Sequence, residues 1–94
     1  MGTSISSGVQ NSDQLLFTGR NRVNAITVIT DGTNAATVDL YDNTSASGTI
    51  RAKGRCVGAN LINHIIFENP VLFETGIYAD VTGTGATYIV FFGG

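Results

Sequence analysis

"RVNAITVITDGTNAATVDLYD", residues Arg22 to Asp42, carries two runs of alternating side chains around one turn. Ile26 and Val28 alternate with Thr27 before the turn, and Val38 and Leu40 alternate with Asp39 after it. A period of two is that of a strand with one face toward a core and the other toward water. Asp31-Gly32 between the runs is a hairpin signal, because Asp tolerates the left-handed backbone region and Gly occupies it without steric cost. Asp42-Asn43 gives the same signal after the second run, where "NTSASG" makes a polar loop. The stretch predicts strands at 22–30 and 36–42 joined by a hairpin.

Composition extends that reading to the whole chain. Nine Ile, eight Val and twelve Thr occur in 94 residues, against five Leu, two Glu and one Lys. Side chains branched at Cβ lose rotamer freedom in a helix and fit a pleated sheet. Further strands are expected at 15–18, 49–57, 61–67, 71–75, 76–81 and 87–92, separated by turn residues. "TGTGA" (Thr82 to Ala86) fits a hairpin between the last two, and Asn69-Pro70 marks a break or an edge. About eight short strands with regular turn signals predict a single-domain antiparallel β-sandwich or jelly roll. The domain is expected over residues 15–94. Residues 1–14, with little to bury, are expected as an N-terminal arm that orders against a neighbour. The last strand differs from the others, since Tyr88, Val90 and Phe92 share one face while Ile89 and Phe91 share the other. With both faces apolar, it belongs in the middle of a sheet or against a partner.

The surface is unusual in its lack of charge. Charged residues make up 13% of the chain, about half the roughly 25% of a typical domain. Thr, Asn, Ser and Gly must cover the exterior, which fits a subunit overlain by copies or partners, because charge is what normally opposes association. The net charge of −2 argues against nucleic acid as a partner. The N-terminus lacks the cationic start and apolar run of a signal peptide. No segment approaches the roughly 18 apolar residues of a membrane span, so no membrane partner is expected and synthesis in a cytoplasm is. A single cysteine, Cys56, leaves stability to packing.

Candidate chemistry is sparse. Asp31, Asp39 and Asp42 could contribute to a structural metal site, but calcium takes about six or more oxygens and the EF-hand spacing is absent, so they read as turn residues. His64 is the only histidine, and nothing in the sequence brings it to Cys56 or orients its ring as a nucleophile–base pair requires. A half-buried histidine and a buried thiol are expected instead. No phosphate-binding loop is present, and Asp39 and Asp80 sit singly on strands, which gives a two-carboxylate hydrolase no support. No catalysis and no cofactor are expected. One constellation remains: Arg51, Lys53 and Arg55 fall at intervals of two on one strand, so they share a face. They form either a solvated stripe neutralised by Glu68 and Glu74 or a contact for an acidic partner surface.

Two runs carry a family resemblance. "VNAITVITDGTNAATVDLYDNTSASGT" (Val23 to Thr49) and "FENPVLFETGIYADVTGTGATYIVFFGG" (Phe67 to Gly94) resemble small structural proteins encoded by tailed bacteriophages. The shared pattern is a strand, a D-G-T-N turn, a strand ending in Y-D and an S-G loop, then a P-V-x-F-x-T-G-I-Y strand with a closing T-G-T-G-A hairpin. The resemblance implies a virion component, either an auxiliary capsid protein of the cement or decoration type or a tail or fibre subunit. It also implies partners among virion proteins, the major capsid protein first, and a homo-oligomer such as a trimer. A glycan-recognition β-sandwich is the alternative, disfavoured by the absence of Trp.

Overall fold

The computed structural model describes residues 4–93, and every regular element among them is a strand. In chain order these are β1 (Ile5–Ser6), β2 (Gln14–Thr18), β3 (Asn21–Ile29), β4 (Ala36–Tyr41), β5 (Ile50–Cys56), β6 (Ile62–Phe73), β7 (Gly76–Thr82) and β8 (Thr87–Phe92). They form two four-stranded sheets, ordered β1-β8-β3-β6 in the first and β2-β7-β4-β5 in the second. All neighbouring strands are antiparallel. The pairs β1–β8, β2–β7, β3–β6 and β4–β5 are those of one long antiparallel hairpin wrapped over itself, which is the winding of a jelly roll. The expected all-β sandwich is the observed fold.

The alternation in the opening stretch supplies the core. Ile26, Val28, Val38 and Leu40 are fully buried between the sheets, joined there by Phe73 and Ile77. From β8 come Tyr88 and Val90, also fully buried, so of its two apolar faces the one they share is the core face. Its place between β1 and β3 agrees with the expectation from its two apolar faces. Gly54 on β5 governs how closely the sheets approach, since a Cβ there would lie 2.9 Å from Val28 Cγ2 and 3.2 Å from Ile26 Cγ2.

Two of the expected hairpins are something else. The chain does turn at Asp31-Gly32 and at Thr82 to Ala86, with Gly32, Gly83 and Gly85 at positive φ. Yet β3 and β4 lie in different sheets, as do β7 and β8, so both turns are arches that carry the chain across the sandwich. Turn residues fix local backbone angles and leave strand pairing open; here each arch lets both flanking strands bury their apolar faces. The connection after Asp42-Asn43 is a true hairpin, for β4 and β5 are register partners.

The expected strands at 61–67 and 71–75 are one strand, β6. While β3 advances from Val23 to Ala25, its partner residues on β6 jump from Val71 to Ile66, so residues 67–70 form a bulge. Pro70 falls inside it at the edge of the sheet, where no ladder hydrogen bond needs its missing N–H.

Most of the segment expected as an arm lies along its own chain. Ile5 and Ser6 pair with Phe92 and Phe91, Gln10 exchanges two backbone hydrogen bonds of 2.9 Å with Tyr88, and Gln14 opens β2. Residues 1–3 of the expected arm, and Gly94, lie outside the described residues.

Candidate functional site

The outer face of the second sheet carries a concentration of charge. Arg51, Lys53 and Arg55 are all exposed on β5 while the alternate residues Ala52, Gly54 and Cys56 are buried, as the spacing predicts. Their partners differ from the expected Glu68 and Glu74. Arg51 Nε lies 3.0 Å from Asp42 Oδ2, and Lys53 Nζ lies 3.7 Å from Asp39 Oδ1, so both cations are met by the adjacent strand. Arg55 has no acidic partner within ion-pair distance among the described residues. Compensated in this way, the stripe leaves Arg55 as its one cation without an acidic partner among the described residues.

The same face holds a group that sequence reasoning missed. Asp39 and Asp80 are register partners on β4 and β7, and Asp13 reaches Asp80 from the N-terminal segment while accepting the Val81 N–H at 2.9 Å. Burial holds the Asp80 carboxyl above its usual range, helped by the charge of Asp13, a hydrogen bond with Asp13 and the charge of Asp39. Asp39 Oδ1 is closed off from solvent without a hydrogen-bond partner, its compensation being the Lys53 ammonium. No spacing in the sequence announces this contact, because only the β4–β7 register creates it. The carboxyls lie on the face of a sheet, remote from the pocket described below.

The remaining aspartates act in turns. Asp31 Oδ1 accepts the N–H groups of Thr33 and Asn34 at 2.9 and 2.8 Å, and Oδ2 accepts the Asn34 amide, which together hold its carboxyl below the usual range. Asp42, at the other end of β4, has a side chain 5% exposed. Burial pushes its carboxyl up, but the N–H groups of Thr75 and Glu74, at 2.8 and 3.0 Å, and the Arg51 guanidinium outweigh that and leave it lowered. No group of three or more His, Cys, Asp or Glu able to hold a metal ion occurs among the described residues.

His64 and Cys56 are kept apart. Cys56 is buried between the sheets, its thiol 3.2 Å from the Asn60 carbonyl oxygen. His64 is exposed, where a half-buried ring was expected, and its Nδ1 lies 2.6 Å from Thr27 Oγ1 on the outer face of the first sheet.

That outer face is apolar and uncharged. The register sets Ile62 beside Ile29, His64 beside Thr27 and Ile66 beside Ala25, with Thr87, Ile89 and Phe91 of β8 completing the rows. Ala25 and Thr27 are buried although they point away from the core, because the flanking side chains cover them. Ile62 and Ile66 are 59% and 70% exposed. A shallow pocket of about 280 Å³ opens among Ser4, Asn24, Ala25, His64, Ile66 and Phe91, with the His64 and Phe91 rings edge to face at 6.0 Å. The second apolar face of "TYIVFF" is the sequence signal for this surface. No protein-family model, curated protein or solved structure matches the chain.

Proposed function

We propose that the chain is a non-enzymatic structural subunit of a tailed-bacteriophage virion, an auxiliary capsid protein of cement or decoration type. It docks on the assembled shell, in contact with the major capsid protein and with copies of itself, and adds stability by binding the assembled state. The observation that carries this reading is the outer face of the first sheet. Nine residues of three strands present no ionic side chain there, and Ile62 and Ile66 stand open to solvent. A free-standing domain normally charges such a face, whereas an assembly subunit leaves it to be covered. The low overall charge and the phage-like runs support the same reading. Jelly rolls serve in capsid and in lectin domains alike, so the fold by itself does not decide between them.

A second reading, a glycan-recognition module, draws on Tyr41 and Tyr78, which are register partners on the outer face of the second sheet. Both rings are half-buried, which leaves little open face on which a sugar could stack, and the capsid reading stands ahead.

Co-sedimentation tests it. The purified protein, mixed with empty shells and separately with tails of the phage that encodes it, is expected to pellet with shells at a saturating, fixed stoichiometry. Binding to tails without binding to shells would move the assignment to a tail or fibre subunit.

A further inference from the structure

We infer that two copies of this chain join through the free edge of β6, pairing antiparallel about a two-fold axis at His64 and continuing the first sheet from one molecule into the next. The inference rests on the assembly reading above and names the contact between copies.

Backbone geometry carries the argument. The Thr30 N–H donates to the Leu61 carbonyl at 2.8 Å, which marks Thr30 and Leu61 as a hydrogen-bonded pair of the β3–β6 ladder. Antiparallel ladders alternate, so Asn63 and Ile65 bond inward as well, and the N–H and C=O of Ile62, His64 and Ile66 point to the free edge. The far side of the sheet gives the same phase. There Tyr88 and Val90 bond outward to Gln10 and Ser7, leaving Ile89, partner of Thr27, to bond toward β3. Unpaired edge groups in this array specify another strand as their partner.

The other edges are guarded, and this one is not. β5 carries the Arg51, Lys53 and Arg55 side chains, β1 has two residues, and β2 is broken by a bulge between Leu15 and Phe17. The second half of β6 is closed by its own bulge and Pro70. From Cys56 to Phe67 the chain has no Asp, Glu, Lys or Arg.

Self-complementarity selects a second copy as the occupant. With His64 opposite His64 of the second copy, Ile62 falls opposite Ile66 and Ile66 opposite Ile62. All of these are residues whose backbone groups point outward, so each pair can exchange both N–H···O bonds. On the outer face the two exposed isoleucines of one copy then pack against those of the other. Charge agrees, since a two-fold lays this stretch against its own copy, and a stretch bearing one sign of charge would repel its image. An antiparallel edge contact closes with two copies, which favours a dimer, or a higher state built from dimers, over a three-fold ring.

Solution mass of the full chain, measured without shells, separates this inference from shell docking. At micromolar concentration the expected mass is twice the 9.8 kDa of one chain, and Ile66→Lys is expected to return it to the monomer. His64→Cys supplies a second readout that does not depend on the lysine variant folding. Paired residues of this type lie about 5.5 Å apart at Cα, within the disulfide range of about 4.4–6.8 Å, so mild oxidation should give a covalent dimer. Ser45→Cys, in the β4–β5 loop, should not. A monomer that forms no 64–64 disulfide, a trimer, or an oligomer indifferent to Ile66→Lys and lacking that cross-link would overturn the inference.

Discussion

Tyr88→Ala is expected to destabilise the protein by about 3–5 kcal/mol. Tyr88 heads the largest side chains with no exposed surface, and it sits on β8 where the two sheets meet. Truncation leaves a cavity that a close-packed core fills only in part. Against a total stability of about 5–15 kcal/mol for a small domain, much of the protein would be unfolded at modest temperature. Tyr88→Phe isolates a smaller part. The hydroxyl donates to the Ser12 carbonyl oxygen at 2.7 Å, so phenylalanine keeps the ring and unties the N-terminal segment. Its expected cost is about 1 kcal/mol, with faster amide exchange at Gln10 and an unchanged core. Burial first, then the charges of Asp13 and Tyr78, push the Tyr88 hydroxyl up to about 12 from 10.0. The stability tied to this raised value is complete below pH 10 and is lost as pH rises toward about 12, a loss that Tyr88→Phe should remove. Chemical denaturation across that range, with exchange read by NMR, measures both effects.

Asp42→Ala is expected to cost about 2 kcal/mol, large for a residue near a loop. One carboxylate oxygen accepts from both Glu74 and Thr75, and the other meets Arg51, so this side chain ties the end of β4 to the β6–β7 turn and to β5. Asp42→Asn keeps an acceptor for the two amides and should recover part of the loss. The folded carboxyl is lowered from 3.8, so its contribution is present above pH 3.8 and disappears as pH falls through the lowered value. Asp80 runs the other way: its raised carboxyl favours the fold at low pH and weakens it as pH climbs past that value. Acid denaturation curves of Asp42→Ala should therefore be flatter below about pH 4 than those of the parent. Curves that superimpose would contradict the role assigned to Asp42.

Strand faces were legible in the sequence, but of the strand partners only the β4–β5 hairpin was. Ile26, Val28, Val38 and Leu40 announce their burial by alternation alone, and Ile89 with Phe91 announces a second apolar surface. Asp31-Gly32 and "TGTGA" announce turns, but whether a turn closes a hairpin or crosses the sandwich depends on where the whole chain can bury its faces. Pro70 reads as a break because proline lacks a donor, yet a bulge at an edge accommodates it. Two residues of β1 are too few to show a period. The same limit applies to the sites. Arg51, Lys53 and Arg55 share a face as their spacing requires, while their partners Asp42 and Asp39 follow from the β4–β5 register. The meeting of Asp13, Asp39 and Asp80 depends on pairings between strands distant in the chain.

The proposed role of this small jelly roll, stabilising an assembled shell, is best read from the temperature at which empty shells come apart. Shells heated with increasing amounts of the protein are expected to come apart at progressively higher temperatures until binding saturates, as linkage requires of a molecule that binds only the assembled state. An unchanged temperature, with the protein folded and in excess, would rule that role out.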